Sequence, residues 1–335
     1  MNKGSRKEMN VIGIDVSKAK LDCAWLDENN KLKAKVFPNA LTGWSSLVEW
    51  SLKHTGLSIS GLHFVMEATG VCHGQLAVYL YDKGANVSVV NPAQVKFYAQ
   101  SLGVRSKNDK KDSVVLARYG LHEKPKRWQP EALEIGTLKA LVARLDSLEK
   151  DLQRERNRRE KAEISQAPPA ILASLAQIIG TLDAERQQLE KLIEEHLNNH
   201  ELLKQNKALL ESIPGVGKVI ATRMLMVIGS RPFDSASQCA AYLGLVPVQH
   251  ESGSSVRGRA KLSKAGKPGH PHPRQTVHGG GGGDHLQSRH QAQYLRLTGN
   301  GKSKMSALGA AMRKLVQICF GVLKHQQPYQ PQVAN

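Results

Sequence analysis

This chain of 335 residues is poor in three things: paired cysteines, long apolar runs and acidic charge. Its four cysteines, Cys23, Cys72, Cys239 and Cys319, stand far apart with no CxxC spacing. That argues against a zinc ribbon or a disulfide framework and leaves them as small buried apolar residues in a reducing cytoplasm. No run of about eighteen apolar residues occurs, so no membrane span is expected. The opening Met1-Asn2-Lys3-Gly4-Ser5-Arg6-Lys7 leads into a short strand, not the apolar core of a signal peptide. Asp and Glu number 29 against 47 Lys and Arg, a formal net charge of +18. Such an excess favours a polyanionic partner. By itself it also admits a ribosome-associated or heparin-like binder, or a membrane-surface protein. The length exceeds one compact core and points to two or three domains.

The first domain, residues 8–125, reads as α/β. Val11 to Val16 is a β-branched apolar run, and Leu21 to Leu26 resumes the pattern. Leu32 to Phe37 supplies a third strand, His63 to Glu67 a buried fourth, and Ala85 to Val90 a fifth. Helical spacing links Trp44, Leu47, Val48 and Leu52, and again Leu76, Val78, Tyr79 and Leu80. Asn91-Pro92 reads as a turn and helix start. Three antiparallel-type strands, a helix, then alternating strands and helices is the order of an RNase H-like fold.

In such a fold, carboxylates at strand ends converge on one edge of the sheet. Asp15 and Glu67 close two apolar runs, and Asp109 and Asp112 stand three apart on a helix opened by Asn108. Carboxylates with phosphate oxygens suit Mg²⁺ better than zinc, and the metal would serve phosphoryl transfer. Singly, Asp15 also reads as a turn residue, and Asp109 and Asp112 as charges favoured by a helix N-terminus. Their joint order favours the metal reading.

Residues 130–200 form a helical spacer. Leu138, Leu141, Leu145, Leu148 and Leu152 recur at coiled-coil spacing, and after Pro168-Pro169 so do Leu172, Leu175, Ile179, Leu182, Leu189 and Ile193. An antiparallel hairpin or a dimer arm is expected, with Arg186 on the seam. Arg154, Arg156, Arg158, Arg159 and Lys161 form a solvated face or track a nucleic-acid backbone.

The third part, residues 203–327, reads as mainly helical. Ile213-Pro214-Gly215-Val216-Gly217-Lys218 fits a helix–hairpin–helix, in which Gly215, Gly217 and the amides leading to Lys218 approach a phosphate. A plain packing turn is the alternative. Downstream, Glu251-Ser252-Gly253-Ser254-Ser255 leads into a basic loop with Arg257, Arg259, Lys261 and Lys264. A serine there can attack phosphate if metal held by the carboxylates comes near. Among Ser252, Ser254 and Ser255 the residues themselves give no ranking, and a phosphate-gripping loop without catalysis is the bland reading.

Taken together, Gly13-Ile14-Asp15-Val16-Ser17-Lys18, Glu67-Ala68-Thr69-Gly70, Asn91-Pro92, Asp109-xx-Asp112, Ile213-Pro214-Gly215-Val216-Gly217 and Glu251 to Gly258 resemble the transposases of the IS110 insertion-sequence family. The resemblance runs in order over nearly the whole chain. It implies a RuvC-like first domain, a coiled-coil spacer and a C-terminal transposase domain. It further implies that Asp15, Glu67, Asp109 and Asp112 bind the metal, and that Ser252 is the nucleophile forming a phosphoserine link to DNA. The implied partners are DNA (element ends and target), a bridge RNA as guide, and further copies of the chain. Competing readings are a RuvC-like junction endonuclease using water, and a non-enzymatic nucleic-acid binder. An actin-like ATPase is disfavoured, because no second glycine-rich phosphate loop or adenosine site follows.

One stretch departs from the family pattern. Ser263-Lys264-Ala265-Gly266 should lead into an amphipathic helix, yet His-Pro repeats and the five glycines Gly279 to Gly283 follow. Glycine costs about 1 kcal/mol and proline about 3 kcal/mol at interior helix positions. Read one base later, glycine codons give Ala, Val, Glu or Gly. Residues 268–290 are therefore expected to be out of frame, with the family pattern resuming at Gln291; a flexible insertion is the alternative.

Overall fold

The computed structural model describes residues 10–26, 31–68, 70, 72–103, 109–252, 256–262 and 289–330; for 109–110, 248–252, 256–262 and 289–293 it gives the backbone alone. Two compact units result, Met1–Pro130 and Glu131–Asn335.

The first unit is built on β1 (Asn10–Val16), β2 (Lys20–Leu26), β3 (Leu32–Pro38), β4 (Leu62–Glu67) and β5 (Asn86–Val90), with α1 (Leu41–Thr55), α2 (Gly74–Asp82), α3 (Pro92–Ser101) and α4 (Asp109–Glu123). The sheet order is β3-β2-β1-β4-β5. β1–β2 and β2–β3 are antiparallel, whereas β1–β4 and β4–β5 are parallel. This is the expected RNase H-like arrangement. Every anticipated strand is present within about two residues.

Local chemistry explains the corners. Between β1 and β2, Ser17 Oγ donates to the Lys20 carbonyl at 2.8 Å and accepts from the Lys20 amide at 3.2 Å. Asn91 caps α3 by accepting from the Ala93 amide at 3.0 Å, with Pro92 in the first turn.

Side-chain alternation gives the sheet two buried faces. Ile12, Ile14, Phe64 and Met66 pack with Trp44, Leu47, Leu76 and Leu80 from α1 and α2. Val11, Val65 and Val90 pack with Val95, Val115, Leu116 and Tyr119 from α3 and α4. After α4 the chain runs along β5, where the Trp128 amide donates to the Val87 carbonyl at 2.7 Å. Ser88 Oγ donates to that segment too, 2.9 Å from the Lys126 carbonyl and 3.2 Å from that of Pro125.

The second unit opens with α5 (Leu133–Ile164) and α6 (Pro169–Asn199), which fold back on each other through the turn before Pro169. Leu138, Leu148, Leu152, Ile179 and Ile193 are buried, as the leucine spacing implies. Arg156 crosses the hairpin to Asp183 at 3.1 Å. Arg154, Arg158 and Arg159 sit against Asp151, Glu155 and Glu163. These arginines are engaged with carboxylates of the hairpin, which favours the solvated-face reading over a nucleic-acid track. Arg186 pairs with Asp183 and Glu190 of its own helix.

Next come α7 (Glu201–Glu211), α8 (Lys218–Gly229), α9 (Ala236–Tyr242), the strands β6 (Pro247–Ser252) and β7 (Val256–Leu262), α10 (Arg289–Gly299) and α11 (Lys304–His325). Ile135, Leu138, Val142, Ile193 and Leu197 of the hairpin share one core with residues such as Met224, Val227, Leu315, Val316 and Cys319. The hairpin base and the C-terminal helices, separate in the sequence reading, therefore fall in one unit. Two charged pairs support this core. Arg223 of α8 makes a two-oxygen ion pair with Asp146 of α5, and buried Lys207 of α7 reaches Glu194 of α6 at 2.6 Å.

Among the described helices, α11 alone is long and apolar enough to cross a membrane. It carries Arg313 and Lys314 near its middle, and Ala311, Leu315, Val316 and Cys319 belong to the unit's buried residues. It is a core helix.

Candidate active site

Glycine sets the geometry of the carboxylate edge. A Cβ built on Gly120 of α4 would lie 2.6 Å from Val11 Cγ1 and 2.7 Å from Val65 Cγ2. One built on Gly13 would overlap the Ser113 carbonyl oxygen and the Ala117 nitrogen. Thus α4 presses on the odd-numbered side of β1 and β4 and runs antiparallel to β1. A helix rises about 1.5 Å per residue and a strand about 3.3 Å, so the same track brings the first turn of α4 level with Asp15. That turn carries Asp109 and Asp112.

Glu67 joins them through register. Ile14 pairs with Met66 across the parallel β1–β4 ladder, and Asp15 and Glu67 are the next residues on each strand. Both continue the odd-numbered side that α4 covers. Asp15, Glu67 and Asp112 are partly buried. The fold thus gathers these carboxylates at one end and one face of the sheet. Among the described residues, however, no three His, Cys, Asp or Glu side chains lie close enough to hold a metal ion. Asp109 is described by its backbone alone. The donors themselves, all carboxylate oxygens, match the preference of Mg²⁺.

Asn39, at the end of β3, ties this edge together. Its amide nitrogen donates to the Ser17 carbonyl at 2.8 Å and the Cys72 carbonyl at 3.4 Å. Its oxygen accepts from Trp44 Nε1 at 2.9 Å. One side chain therefore spans the loop after Asp15 and the loop after Glu67.

Asp22, a fourth described acid at this edge, belongs to none of the motifs above. It is the direct partner of Asp15 across β1–β2, is buried, and pairs with Lys20 at 3.0 Å. Its one signal was a charge inside the apolar run Leu21 to Leu26.

In the second unit, the basic segment expected as a loop is an antiparallel hairpin. Ser252 pairs with Val256 and Glu251 with Arg257, and the register shifts between Val248 and His250. Ser252 is the last residue of β6, at the tip; Arg257, Arg259 and Lys261 take alternate positions of β7. Ser254, Ser255 and Lys264 lie outside the described residues, as does the segment 268–290 except for its last two positions.

The segment expected as a helix–hairpin–helix is α7, the turn through Gly217, and α8. Ile213 and Val216 anchor the turn in the core, and the Val216 amide donates to the Ile213 carbonyl at 3.0 Å. Gly215 has φ +87°, where a side chain is strained. Gly217 differs: its φ is −89°, and a Cβ there would meet nothing within 4 Å. Neither backbone angle nor internal packing demands glycine at that position. Lys218 opens α8 and is exposed.

Comparison with known proteins gives two family matches. A transposase model of the DEDD IS110 type matches residues 12–162, and a model described as transposase IS116/IS110/IS902 family matches residues 207–277. The pilin gene-inverting protein of Moraxella lacunata is 31% identical over 327 residues, covering 96% of this chain and 98% of its own. The transposase for insertion sequence element IS1111A of Coxiella burnetii is 25% identical over 277 residues, covering 75% of this chain and 72% of its own. Among solved structures, Thermus thermophilus RuvC aligns over 36% of this chain and all of its own, with 17% identity and a TM-score of 0.26.

Proposed function

The chain belongs to the IS110 family of transposases, and we propose that it moves a DNA element by serine attack on DNA phosphate, assisted by Mg²⁺ and guided by RNA. The observation carrying this reading is the gathering of Asp15, Glu67 and the first turn of α4 at one end and one face of an RNase H-like sheet. Asp15, Glu67, Asp109 and Asp112 would hold the metal, and their oxygens suit Mg²⁺. Bound there, Mg²⁺ supplies Lewis acidity to phosphoryl transfer. The chain's own part is rigid placement, since the ligands sit on two strand ends and a helix turn rather than on loops.

Ser252 is the proposed nucleophile. Its Oγ gives up its proton and forms a bond to phosphorus, the bond from phosphorus to a deoxyribose oxygen breaks, and that departing oxygen takes a proton to become a free hydroxyl. The phosphoserine keeps the phosphodiester's bond for rejoining by a second strand's hydroxyl. Arg257, Arg259, Lys261 and Lys264 would neutralise phosphate near the hairpin tip. Gly215, Gly217 and Lys218 would hold DNA backbone without reading sequence; the open space at Gly217 supports that role.

The partners proposed are element ends, target DNA, a bridge RNA and further copies of the chain, acting in the cytoplasm at the nucleoid. Exposed Ile171, Ile178 and Leu192, separated by multiples of seven along α6, support an oligomer through the hairpin. Relatives named as pilin gene inverters support strand exchange over simple cutting.

The test is to trap covalent adducts with labelled element ends, Mg²⁺ and the cognate RNA. Adducts are expected from the wild type and none from Ser252→Ala. Asp109→Asn should lose exchange but keep nucleic-acid binding, which rests on Lys and Arg. Cleavage without any adduct would instead identify a hydrolytic, junction-type nuclease.

A further inference from the structure

We propose that Lys20 grips a backbone phosphate of the DNA strand at the carboxylate edge, and that Asp22 is the positioning residue that aims it. The inference rests on the DNA-cutting role proposed for that edge. Lys20, Asp22, Ala24 and Leu26 alternate along β2 on the side of the sheet that Asp15 shares, because Asp22 is the Cα partner of Asp15. Ala24 and Leu26 are buried and apolar. Polarity begins only where β2 reaches the carboxylates.

Asp22 is only 7% exposed. Desolvating a carboxylate costs several kcal/mol, a cost an apolar residue would avoid. Its partner is placed differently: Lys20 Nζ lies 3.0 Å from Asp22 Oδ2, yet the lysine side chain is 45% exposed. The acid is fixed by the fold, whereas nearly half of its partner's side chain lies at the surface. The backbone beneath the lysine is held as well, by the two Ser17–Lys20 hydrogen bonds. Asp22 and Ser113, the residue after Asp112, line an open cavity of about 240 Å³ together with Cys23, Ala34, Lys35 and Val36, so the acid borders free space beside the start of α4.

The charge pattern supplies the reason. Asp15, Glu67, Asp112 and Asp22 bring four carboxylates to this edge, and a strand entering it brings more negative charge. A lysine is a compact point charge that attracts phosphate without selecting a base. Anchored by Asp22, it offers that attraction at a set place with less side-chain entropy to lose.

The experiment measures binding of the full chain to a short fluorescein-labelled DNA duplex across a KCl series. The wild type is compared with Lys20→Ala, Lys20→Arg, Asp22→Asn and the double variant Lys20→Ala/Asp22→Asn, each with its melting temperature. One lost phosphate contact makes the log–log salt slope shallower by about 0.9, which is the change expected for Lys20→Ala, with affinity down about tenfold at low salt. Lys20→Arg should keep most of the slope. Asp22→Asn should lose part of it, and the double variant should bind no worse than Lys20→Ala. A structural ion pair alone would lower the melting temperatures and leave the slope untouched. An unchanged slope in Lys20→Ala overturns the proposal, and additive losses in the double variant overturn the role of Asp22. Because binding is read without cleavage, a chain that binds but never forms an adduct sinks the serine chemistry alone. A wild type that binds no DNA sinks both.

Discussion

Gly13 of β1 and Ala117 of α4 meet backbone to backbone, so that a methyl on Gly13 would overlap the Ala117 nitrogen. This contact, with that of Gly120 on Val11 and Val65, sets how deep α4 lies on the sheet. Which residues meet sets the level of the Asp109–Asp112 turn beside Asp15, and the depth sets how close that turn comes to the sheet.

Gly13→Ala should therefore push α4 outward. Overpacking of this kind costs about 1–3 kcal/mol, read as a lower urea midpoint, and strand exchange should fall further than stability does. Gly180, inside α6, is the control, since a Cβ there meets nothing within 4 Å. Gly180→Ala should raise stability by about 1 kcal/mol through helix propensity. Equal midpoints for the two variants would contradict the close-approach account.

Asn39→Ala removes the donor shared by the Ser17 and Cys72 carbonyls and the acceptor for Trp44 Nε1. Leaving such groups unpaired costs about 1–3 kcal/mol. Since both loops follow carboxylate-bearing strands, the Mg²⁺ concentration needed for half-maximal activity should rise as well. Asn39→Asp keeps the acceptor but not the donor, and should restore little.

Acid should destabilise the first unit through His63. Its Nε2 lies 2.8 Å from Ser88 Oγ, whose single hydrogen goes to a carbonyl of the Pro125–Lys126 segment, so the imidazole donates to the hydroxyl. Nδ1 is buried without a partner among the described residues. Burial, with Arg127 nearby, pushes the imidazole down from 6.5 to about 4. A depressed base binds its proton less readily when folded. Its stabilisation is thus complete above pH 6.5 and is lost as pH falls toward 4. At 1.36 kcal/mol per unit, the loss approaches about 3 kcal/mol. Denaturant titrations across that window should show a slope that His63→Gln flattens.

The reading frame offers a test outside the protein. Translated one base later, the coding sequence of residues 268–290 should give an apolar helix resembling the family's. The protein rebuilt in that frame should exchange strands better than the present chain. Stop codons or a polar segment in the shifted frame would eliminate the idea.

Most of the first unit was legible because its signals are local. β-branched runs such as Val11 to Val16, a cap at Asn91 and the leucine spacing of α5 each act within a few residues. The carboxylates Asp15 and Glu67 were legible for the same reason, as polar ends of apolar strands. Asp22 was not, because a single charge in an apolar run carries no sign of what faces it. Its pairing with Asp15 arises only from the β1–β2 register. The β6–β7 hairpin was also missed: its small and basic residues have weak strand propensity, and ladder hydrogen bonds form the strands regardless.

By itself, then, the sequence determined most of the elements, the family and four candidate acids, since these depend on periodicity and on residue types at short spacing. Tertiary structure alone decided which acids share a face, how near α4 comes to Gly13, and that the hairpin base joins the core of the C-terminal helices. Those outcomes depend on contacts between residues distant in the chain, where register and close packing act and local propensity is silent.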